Sequence, residues 1–426
     1  MNILTMSNTF TPHVGGVARS LERFRTEFRR MGHRDLIVAP TFDNMPEAEV
    51  DVVRLPAIQQ FNGSDFSVRL PIPALLFPRL EKFKPDVVHA HHPFLLGDTA
   101  LRIAALHQIP HVFTHHTLYE QYTHYVPGDS PAMKRFVIEL STGYANLCDG
   151  IIAPSESIAA LLEKRGVCVP ITVIPTGIGK EWFVEQDGAA YRAAIGIPKA
   201  AFVIGHVGRL APEKNLGFMC EAVLHFMYGH ARAHFLLAGS GPLEETICTR
   251  FKQAGLSDRL HRIGQVGPNM LVKAYRAMDV FVFASQSETQ GMVLTEAMAA
   301  GVPVVAVDAS GVREVVEDGT NGRLLPKQKQ DGFSQALSWI FGLSRDRRRA
   351  LQSAARETAD RFSITHTAER VLKHYERLID QERIKKEIEG SHWLSLLPLL
   401  ETEWDLWTNR ASAITAALSD DGMEEA

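Results

Sequence analysis

The chain has 426 residues, 45% of them hydrophobic and 22% charged, with a formal net charge of −4. At roughly 100–200 residues per domain this length suits two domains, and the composition is that of an ordinary globular protein. The acidic balance argues against a nucleic-acid partner, which calls for a basic face, and no run approaches the ~20 apolar residues that span a bilayer.

The N-terminus lacks the basic region and long apolar core of a signal peptide, so a cytoplasmic setting is expected. Asn2 to Met6 predicts a short strand, and a helix is expected from about Val17 to Met31, with Leu21, Phe24 and Phe28 on one face. Between them lies Pro12-His13-Val14-Gly15-Gly16. A glycine pair there lets backbone approach a ligand closely, or serves a tight turn needing positive φ. Leu36 to Ala39 is the second strand. Phe61 to Lys84 is apolar with few cations, which favours a packed helix over a membrane-surface element.

Asp86 to Ala90 predicts a strand running into His89-Ala-His91-His92-Pro93-Phe-Leu-Leu-Gly97. His111 to Thr114 predicts another, opening into His115-His116-Thr-Leu-Tyr119-Glu120-Gln-Tyr122-Thr-His124-Tyr125. Ten of the eighteen histidines precede residue 125, a bias that suggests metal on composition alone. Metal-ligand spacing is absent, and both groups follow strands, which favours a substrate cleft. Ile151 to Pro154 is a further strand, followed by a helix over Ser155 to Arg165. Pro175 and Gly177, within Val173 to Ile178, break regular structure between the two halves.

The second half restarts the pattern. Phe202 to Val207 leads to Gly208-Arg209-Leu-Ala-Pro-Glu213-Lys214-Asn215, two cations beside a strand end. Such cations are either solvated or placed to neutralise a diphosphate. His234 to Ala238 runs into Gly239-Ser-Gly241, but Glu244 stands where a dinucleotide fingerprint needs its third glycine. Val280 to Ala284 is a short buried strand, followed by a polar loop with Glu288 and Gly291. A small-residue helix then runs to Ala300, ended by Gly301 and Pro303, and Val304 to Val307 is the next strand. Backbone N–H groups from Thr289 through Gln290 and Gly291 to Met292 sit near that helix N-terminus and suit an anion. Glu288 and Glu296 bracket them, readable also as a dipole-favoured charge and a solvated helix residue. Asn321 to Pro326 is a turn and strand, and Thr365 to Glu389 a charged helix. Cys148, Cys168, Cys220 and Cys248 form no Cys-x-x-Cys pair and read as buried thiols.

The stretch Glu288-Thr-Gln-Gly-Met-Val-Leu-Thr-Glu296, followed by Gly301-Val-Pro303-Val-Val, resembles the Glu-x7-Glu motif of retaining glycosyltransferases of family 4, with the GT-B fold. Pro12 to Gly16, Gly208-Arg209 with Lys214-Asn215, and Val173 to Ile178 resemble the same family's glycine loop, cation pair and interdomain crossing. The two histidine phrases resemble bacterial enzymes that α-glucosylate diacylglycerol. The resemblance covers about residues 1 to 385. It implies two Rossmann-like parallel-sheet domains facing across a cleft, with boundaries at 1–175, 176–365 and a 366–426 helix and tail.

The resemblance further implies transfer of a hexose from a nucleotide diphosphate sugar to a lipid hydroxyl with α configuration retained; glucose from a UDP sugar is favoured, with a GDP sugar and another hexose left open. His116 would contact the sugar; it is the family's Phe-x-His-Thr histidine, although the preceding His115 departs from the family's aliphatic or aromatic residue. Arg209 and Lys214 would stabilise the leaving diphosphate, Glu288 would position the sugar and Glu296 would hold the ribose. Gly15, Gly16, Val266 and the 289–292 loop would bind donor; His91, His92, Tyr119 and His124 would face the acceptor. No cofactor or essential divalent metal is implied, and no nucleic acid; a lipid acceptor would bring peripheral contact with the inner face of the cell membrane. A soluble-sugar acceptor remains an alternative, because residues 1–180 hold 17 Lys/Arg against 17 Asp/Glu, without the basic bias of a lipid-surface domain; an epimerase or hydrolase on the same fold, releasing product without an acceptor, is a further alternative. The resemblance does not reach Ser391 to Leu418, which holds three of the five tryptophans. Acidic residues Asp420, Asp421, Glu424 and Glu425 follow it, so it is expected to clasp the protein rather than touch the membrane.

Overall fold

The structure is a computed structural model that describes residues 1–13, 15–43, 45–46, 49–58, 68–69, 76–121, 123, 130–286, 288–389 and 397–418. The chain forms two compact units, Met1–Pro175 with Thr367–Ala426, and Thr176–His366. The expected His124 and the tail residues Trp393, Leu394 and Leu396 lie outside the described residues.

Unit 1 contains strands β1 (Asn2–Met6), β2 (Arg34–Pro40) and β3 (Val52–Leu55), then a small pair, β4 (Ala57–Ile58) and β5 (Val68–Arg69). Strands β6 (Val87–Ala90), β7 (His111–Thr114), β8 (Gly150–Ala153) and β9 (Ile171–Val173) follow. Its first helices are α1 (Gly16–Arg30), α2 (Phe77–Phe83), α3 (Leu96–His107), α4 (Pro131–Asn146) and α5 (Glu156–Lys164). Seven strands form one sheet in the order β3-β2-β1-β6-β7-β8-β9, with every neighbour parallel. All residues of β6, β7 and β8 are buried, as expected where helices cover both faces of a parallel sheet. The chain winds outward from β1 to β3, then returns to place β6 on the other side of β1, with Met6 opposite Ala90. That reversal is the switch point at which open α/β sheets leave a crevice at the strand carboxyl ends.

Unit 2 repeats the plan. Its strands are β10 (Phe202–Val207), β11 (Ala233–Ala238), β12 (Leu260–Gly264), β13 (Val280–Phe283), β14 (Val304–Val307) and β15 (Gly322–Leu325). Helices α6 (Gly188–Ala194), α7 (Leu216–Gly229), α8 (Glu244–Gln253), α9 (Pro268–Arg276), α10 (Met292–Ala299), α11 (Gln330–Phe341) and α12 (Arg345–Arg361) accompany them. The parallel order β12-β11-β10-β13-β14-β15 puts the switch between β10 and β13. Separate apolar clusters cover the two faces, one around Phe281, Tyr275 and Leu294, the other around Phe226, Phe235 and Phe333.

Helices α13 (Ile364–Glu389) and α14 (Leu397–Leu418) complete the chain, α13 from Thr367 onward belonging to unit 1. Tyr375 of α13 is fully buried against Ile3, Phe28 and Val87. Helix α14 lies on α3 and α4. Leu406 and Ala413 are buried there, and Gly143 of α4 permits the approach, since a Cβ would stand 1.9 Å from Asn409 Oδ1. Arg102 pairs with Glu403 and Arg410 with Asp98, while Arg135 donates to the carbonyls of Ala416 and Ala417 at 3.1 Å.

Three expectations need correction. The segment from Phe61 to Lys84 is not a single helix: Val68–Arg69 pairs as a strand, and the helix is confined to Phe77–Phe83, where Pro78 occupies the first turn. Of the cysteines, all free, only Cys148 and Cys220 are buried; Cys168 is exposed because it sits in the turn between α5 and β9. The tail does dock, but its two described tryptophans are exposed, Trp404 by 74% and Trp407 by 66%.

Candidate active site

In unit 1 the expected residues gather on the loops beside the β1/β6 switch. Gly15 precedes α1 with φ −162° and ψ 165°, and neither Gly15 nor Gly16 has positive φ, so the tight-turn reading fails. His89 lies within β6 and His91 and His92 follow its end, while His115 and His116 follow the adjacent β7. His91 Nδ1 lies 2.8 Å from His116 Nε2, so one ring donates and the other accepts. Two neutral imidazoles satisfy that bond; two imidazoliums cannot. Burial, then the neighbouring histidines, pushes His91 well below its ordinary pKa and His116 down to about 3.

His92 Nδ1 accepts the Asn8 backbone N–H at 3.2 Å, which leaves its proton on Nε2; burial lowers it to about 3. His115 is buried and, again through burial, lowered to about 4, whereas His116 is half-buried at the loop surface. Tyr119 stands edge-on to Phe94 and His115, with ring centroids 4.9 and 5.9 Å away. Behind this layer lies a group that the sequence reading missed. His89 Nδ1 meets the Tyr375 hydroxyl, its Nε2 lies 2.7 Å from Thr114 Oγ1, and its ring packs 4.0 Å from His91. Tyr375 thus supports the histidines from the far end of the chain.

In unit 2 the loops after β10 and β13 flank the second switch. Lys214 Nζ forms an ion pair with Glu288 across it, both side chains about one-fifth exposed. Burial opposes ionisation of Glu288, but the Lys214 charge and hydrogen bond, with a bond from Ser285, outweigh it and hold the carboxyl below its usual range. Arg209 is exposed on the same loop. Asn215, at φ 52°, ties the loop to β13 by donating to the Ala284 carbonyl at 3.2 Å.

Gly291, at φ 67°, precedes α10, and no described side chain caps the helix start; Leu294 N–H donates to the Gly291 carbonyl at 2.9 Å, so the N–H groups before it are the ones that suit an anion. Gln290 is committed elsewhere: its Nε2 donates to the Thr176 carbonyl at 2.8 Å and its Oε1 accepts the Thr176 N–H. Its side chain is therefore not available to a ligand. Glu296 is buried rather than solvated, and the Tyr275 hydroxyl donates to it at 3.2 Å. Val266 is half-buried just after β12.

Gly239 and Gly241 have a structural purpose. A Cβ would stand 1.9 Å from the Gly208 carbonyl oxygen at the first and 2.5 Å from that of Leu210 at the second. The two loops are pinned together by Leu210 N–H donating to Ser240 O at 3.0 Å and Leu243 N–H to Leu210 O at 2.9 Å. The sequence reading also missed His206. Its Nδ1 donates to the Val282 carbonyl at 3.0 Å, and its Nε2 is buried and unpartnered among the described residues. Burial lowers it to about 4, and the Lys214 and Glu288 charges both act on it. A polar residue inside the apolar run of β10 was the available signal.

Two parallel sheets, each with its chemical groups at the switch point, match the architecture of known sugar-transfer enzymes. The description "Glycosyltransferase Family 4" matches residues 14–182 and "Glycosyl transferases group 1" matches 187–358. The chain is a GT-B glycosyltransferase. It is 29% identical over 76% of its length, and 75% of the relative's, to alpha-monoglucosyldiacylglycerol synthase of Streptococcus pneumoniae. It is 26% identical to a GDP-mannose-dependent alpha-mannosyltransferase of Corynebacterium glutamicum, over 98% of both chains. In fold it resembles the sucrose-phosphate synthase of Thermosynechococcus elongatus, with a TM-score of 0.72 at 20% identity over 89% of this chain and 100% of that one. Anabaena HepE, solved with UDP, gives 0.68 at 20% identity and the same coverage.

Among the described residues of this glycosyltransferase, no cluster of three His, Cys, Asp or Glu is gathered to hold a metal. Likewise no described helix is long and apolar enough to cross a membrane.

Proposed function

We propose that this glycosyltransferase moves a glucosyl group from UDP-glucose to a hydroxyl of diacylglycerol or a related lipid, retaining the α configuration. The observation that carries the reading is the Lys214–Glu288 pair beside the uncapped start of α10. A diphosphate needs a fixed cation and backbone N–H groups together, and the β10/β13 switch point supplies both. Glucose and diacylglycerol are favoured by the relative whose name carries both. Retention is favoured because Glu288 and Glu296 both belong to unit 2, an arrangement that does not suit two carboxylates working from opposite sides of the bond.

In this mechanism the bond from sugar C1 to the phosphate oxygen breaks as the acceptor oxygen bonds to C1 on the same face. The acceptor proton passes to the departing phosphate oxygen. Lys214, Arg209 and the N–H groups from Thr289 to Met292 stabilise that oxygen. Glu288, ionised, positions the sugar hydroxyls, and Glu296, oriented by Tyr275, holds the ribose. Unit 1 contributes neutral donors and acceptors for hydroxyls from His91, His92, His116 and Tyr119.

A second reading, mannosyl transfer from GDP-mannose, has one specific support: the mannosyltransferase relative aligns over nearly the whole chain, tail included. The test is to offer UDP-glucose, UDP-galactose and GDP-mannose with diacylglycerol and simple sugars together, read by mass spectrometry. Glucosyl-diacylglycerol is expected. Mannosyl product would favour the second reading, and free sugar without any acceptor product would contradict both.

A further inference from the structure

The outward face of α14 is unlike the rest of the described surface. Leu400, Trp404, Trp407, Ile414 and Leu418 are 64, 74, 66, 53 and 80% exposed, and Ala411 between them is exposed as well. A soluble protein seldom leaves so contiguous an apolar strip uncovered. Its neighbours are spaced by four, three, four, three and four residues. That is the alternation of a coiled-coil seam, a narrow stripe with a period of 3.5. The opposite face is already engaged, through Leu406 and Ala413 and the ion pairs of Glu403 and Arg410.

We propose that α14 joins two copies of this chain through an antiparallel helix–helix seam. Self-complementarity selects that occupant. A twofold axis beside Asn409 sets Leu400 against Leu418 of the second copy, Trp404 against Ile414 and Trp407 against Ala411. Each tryptophan meets a smaller side chain, as close packing requires. Along the exposed flank Thr408 meets Thr408, and Glu401 meets Thr415, so no two carboxylates oppose one another. A parallel seam stacks tryptophan on tryptophan in two layers and leaves alanine facing alanine in a third. Such a seam is isologous, and it closes at two copies.

A bilayer is the less suitable occupant. Helices that lie in a membrane surface carry Lys or Arg beside the apolar face. Here the exposed flank is Glu401, Asp405, Thr408, Ser412 and Thr415; the helix's own single cation, Arg410, lies 5.8 Å from the centre of the Trp407 ring but is paired with Asp98. The seam is ~27 Å long at 1.5 Å per residue. An interface of that size falls at the low end of stable association, so dimerisation in the micromolar range is expected.

The test is sedimentation equilibrium of the full chain from ~1 to ~100 μM, the range in which a weak seam titrates. Wild type should show a monomer–dimer equilibrium. Trp407→Glu and, separately, Ala411→Trp should each weaken it at least ~10-fold, the first by burying a charge and the second by overfilling a layer. Both positions are exposed, so unchanged melting of each variant shows that the monomer is intact. Wild type that stays monomeric, or variants that dimerise like wild type, would overturn the seam. So would tighter dimerisation of Ala411→Trp. A monomer that sediments with phosphatidylcholine or phosphatidylglycerol vesicles, more so as Ala411→Trp, would hand the stripe to lipid instead.

Discussion

The two switch points of this molecule share an architecture and differ in charge. At the β1/β6 crevice the groups are imidazoles, held neutral because burial supplies no counter-ion. At the β10/β13 crevice a half-buried carboxylate stays ionised, because Lys214 is bonded to it. Burial alone therefore does not fix the protonation of a site; the partner does. The ionic crevice suits a phosphate that gains charge as it leaves. The neutral one suits hydroxyls, which need donors and acceptors without a fixed charge.

The largest effect that would break this comparison is on turnover. Lys214→Ala should lower kcat by about 10²–10³-fold, more than it weakens substrate binding, since the cation acts on charge developed in the transition state. A mutant within threefold of wild type would remove Lys214 from the chemistry. His116→Ala should cost about 10²-fold by losing a positioned polar contact, a smaller loss in the neutral crevice. With His116 held at about 3, the pH–rate profile of wild type should show no inflexion near the ordinary histidine value of ~6.5. An inflexion there that disappears in His116→Ala would contradict the neutral assignment.

Much of this arrangement was legible in the sequence, because strands buried on both faces appear as short apolar runs and their carboxyl-end loops carry the chemical groups. The runs at Asn2–Met6, His111–Thr114, Phe202–Val207 and Val304–Val307 coincide with β1, β7, β10 and β14. What escaped was contact at long range. Tyr375 reaches His89 across 286 residues and Gln290 reaches Thr176 across 114, and neither spacing has a sequence signature. The orientation of α14 was hidden for another reason. Its apolar residues lie on both faces, so periodicity marks two stripes without saying which one docks.

Acid should separate the two units next. The unit 1 histidines His92, His111, His115, His116 and His374 sit at about 3 to 4 in the fold, against His206 alone at about 4 in unit 2. A lowered folded value means that the unfolded chain binds protons first as pH falls below ~6.5. Stability is then complete above ~6.5 and declines toward pH ~4, by at most about 1.4 kcal/mol per histidine per pH unit. Asp35 works in the opposite direction: burial raises it to about 6, against the Thr5 bond and the Arg25 charge, so its neutral form gains as pH drops. Hydrogen exchange between pH 7.5 and 5 should show unit 1 losing protection before unit 2. Equal losses would remove the distinction.

The smallest effect sharpens the ionic side. Gln290→Ala deletes both bonds to Thr176 and leaves the Thr176 N–H and C=O buried. A loss of about 1–3 kcal/mol is expected. Denaturant melting measures it, and nucleotide affinity should fall with it as the 289–292 loop loosens. Lost stability with unchanged UDP affinity would separate the side chain from the site.

Retention of the α configuration is the claim on which the reading of both crevices depends, and proton NMR of the first product formed from an α-linked UDP-glucose donor and diacylglycerol tests it directly. An α-anomeric signal from the earliest turnovers is the expected result. A β-anomeric product would mean that the acceptor attacks from the face opposite the leaving phosphate, and the proposed same-face chemistry would fail.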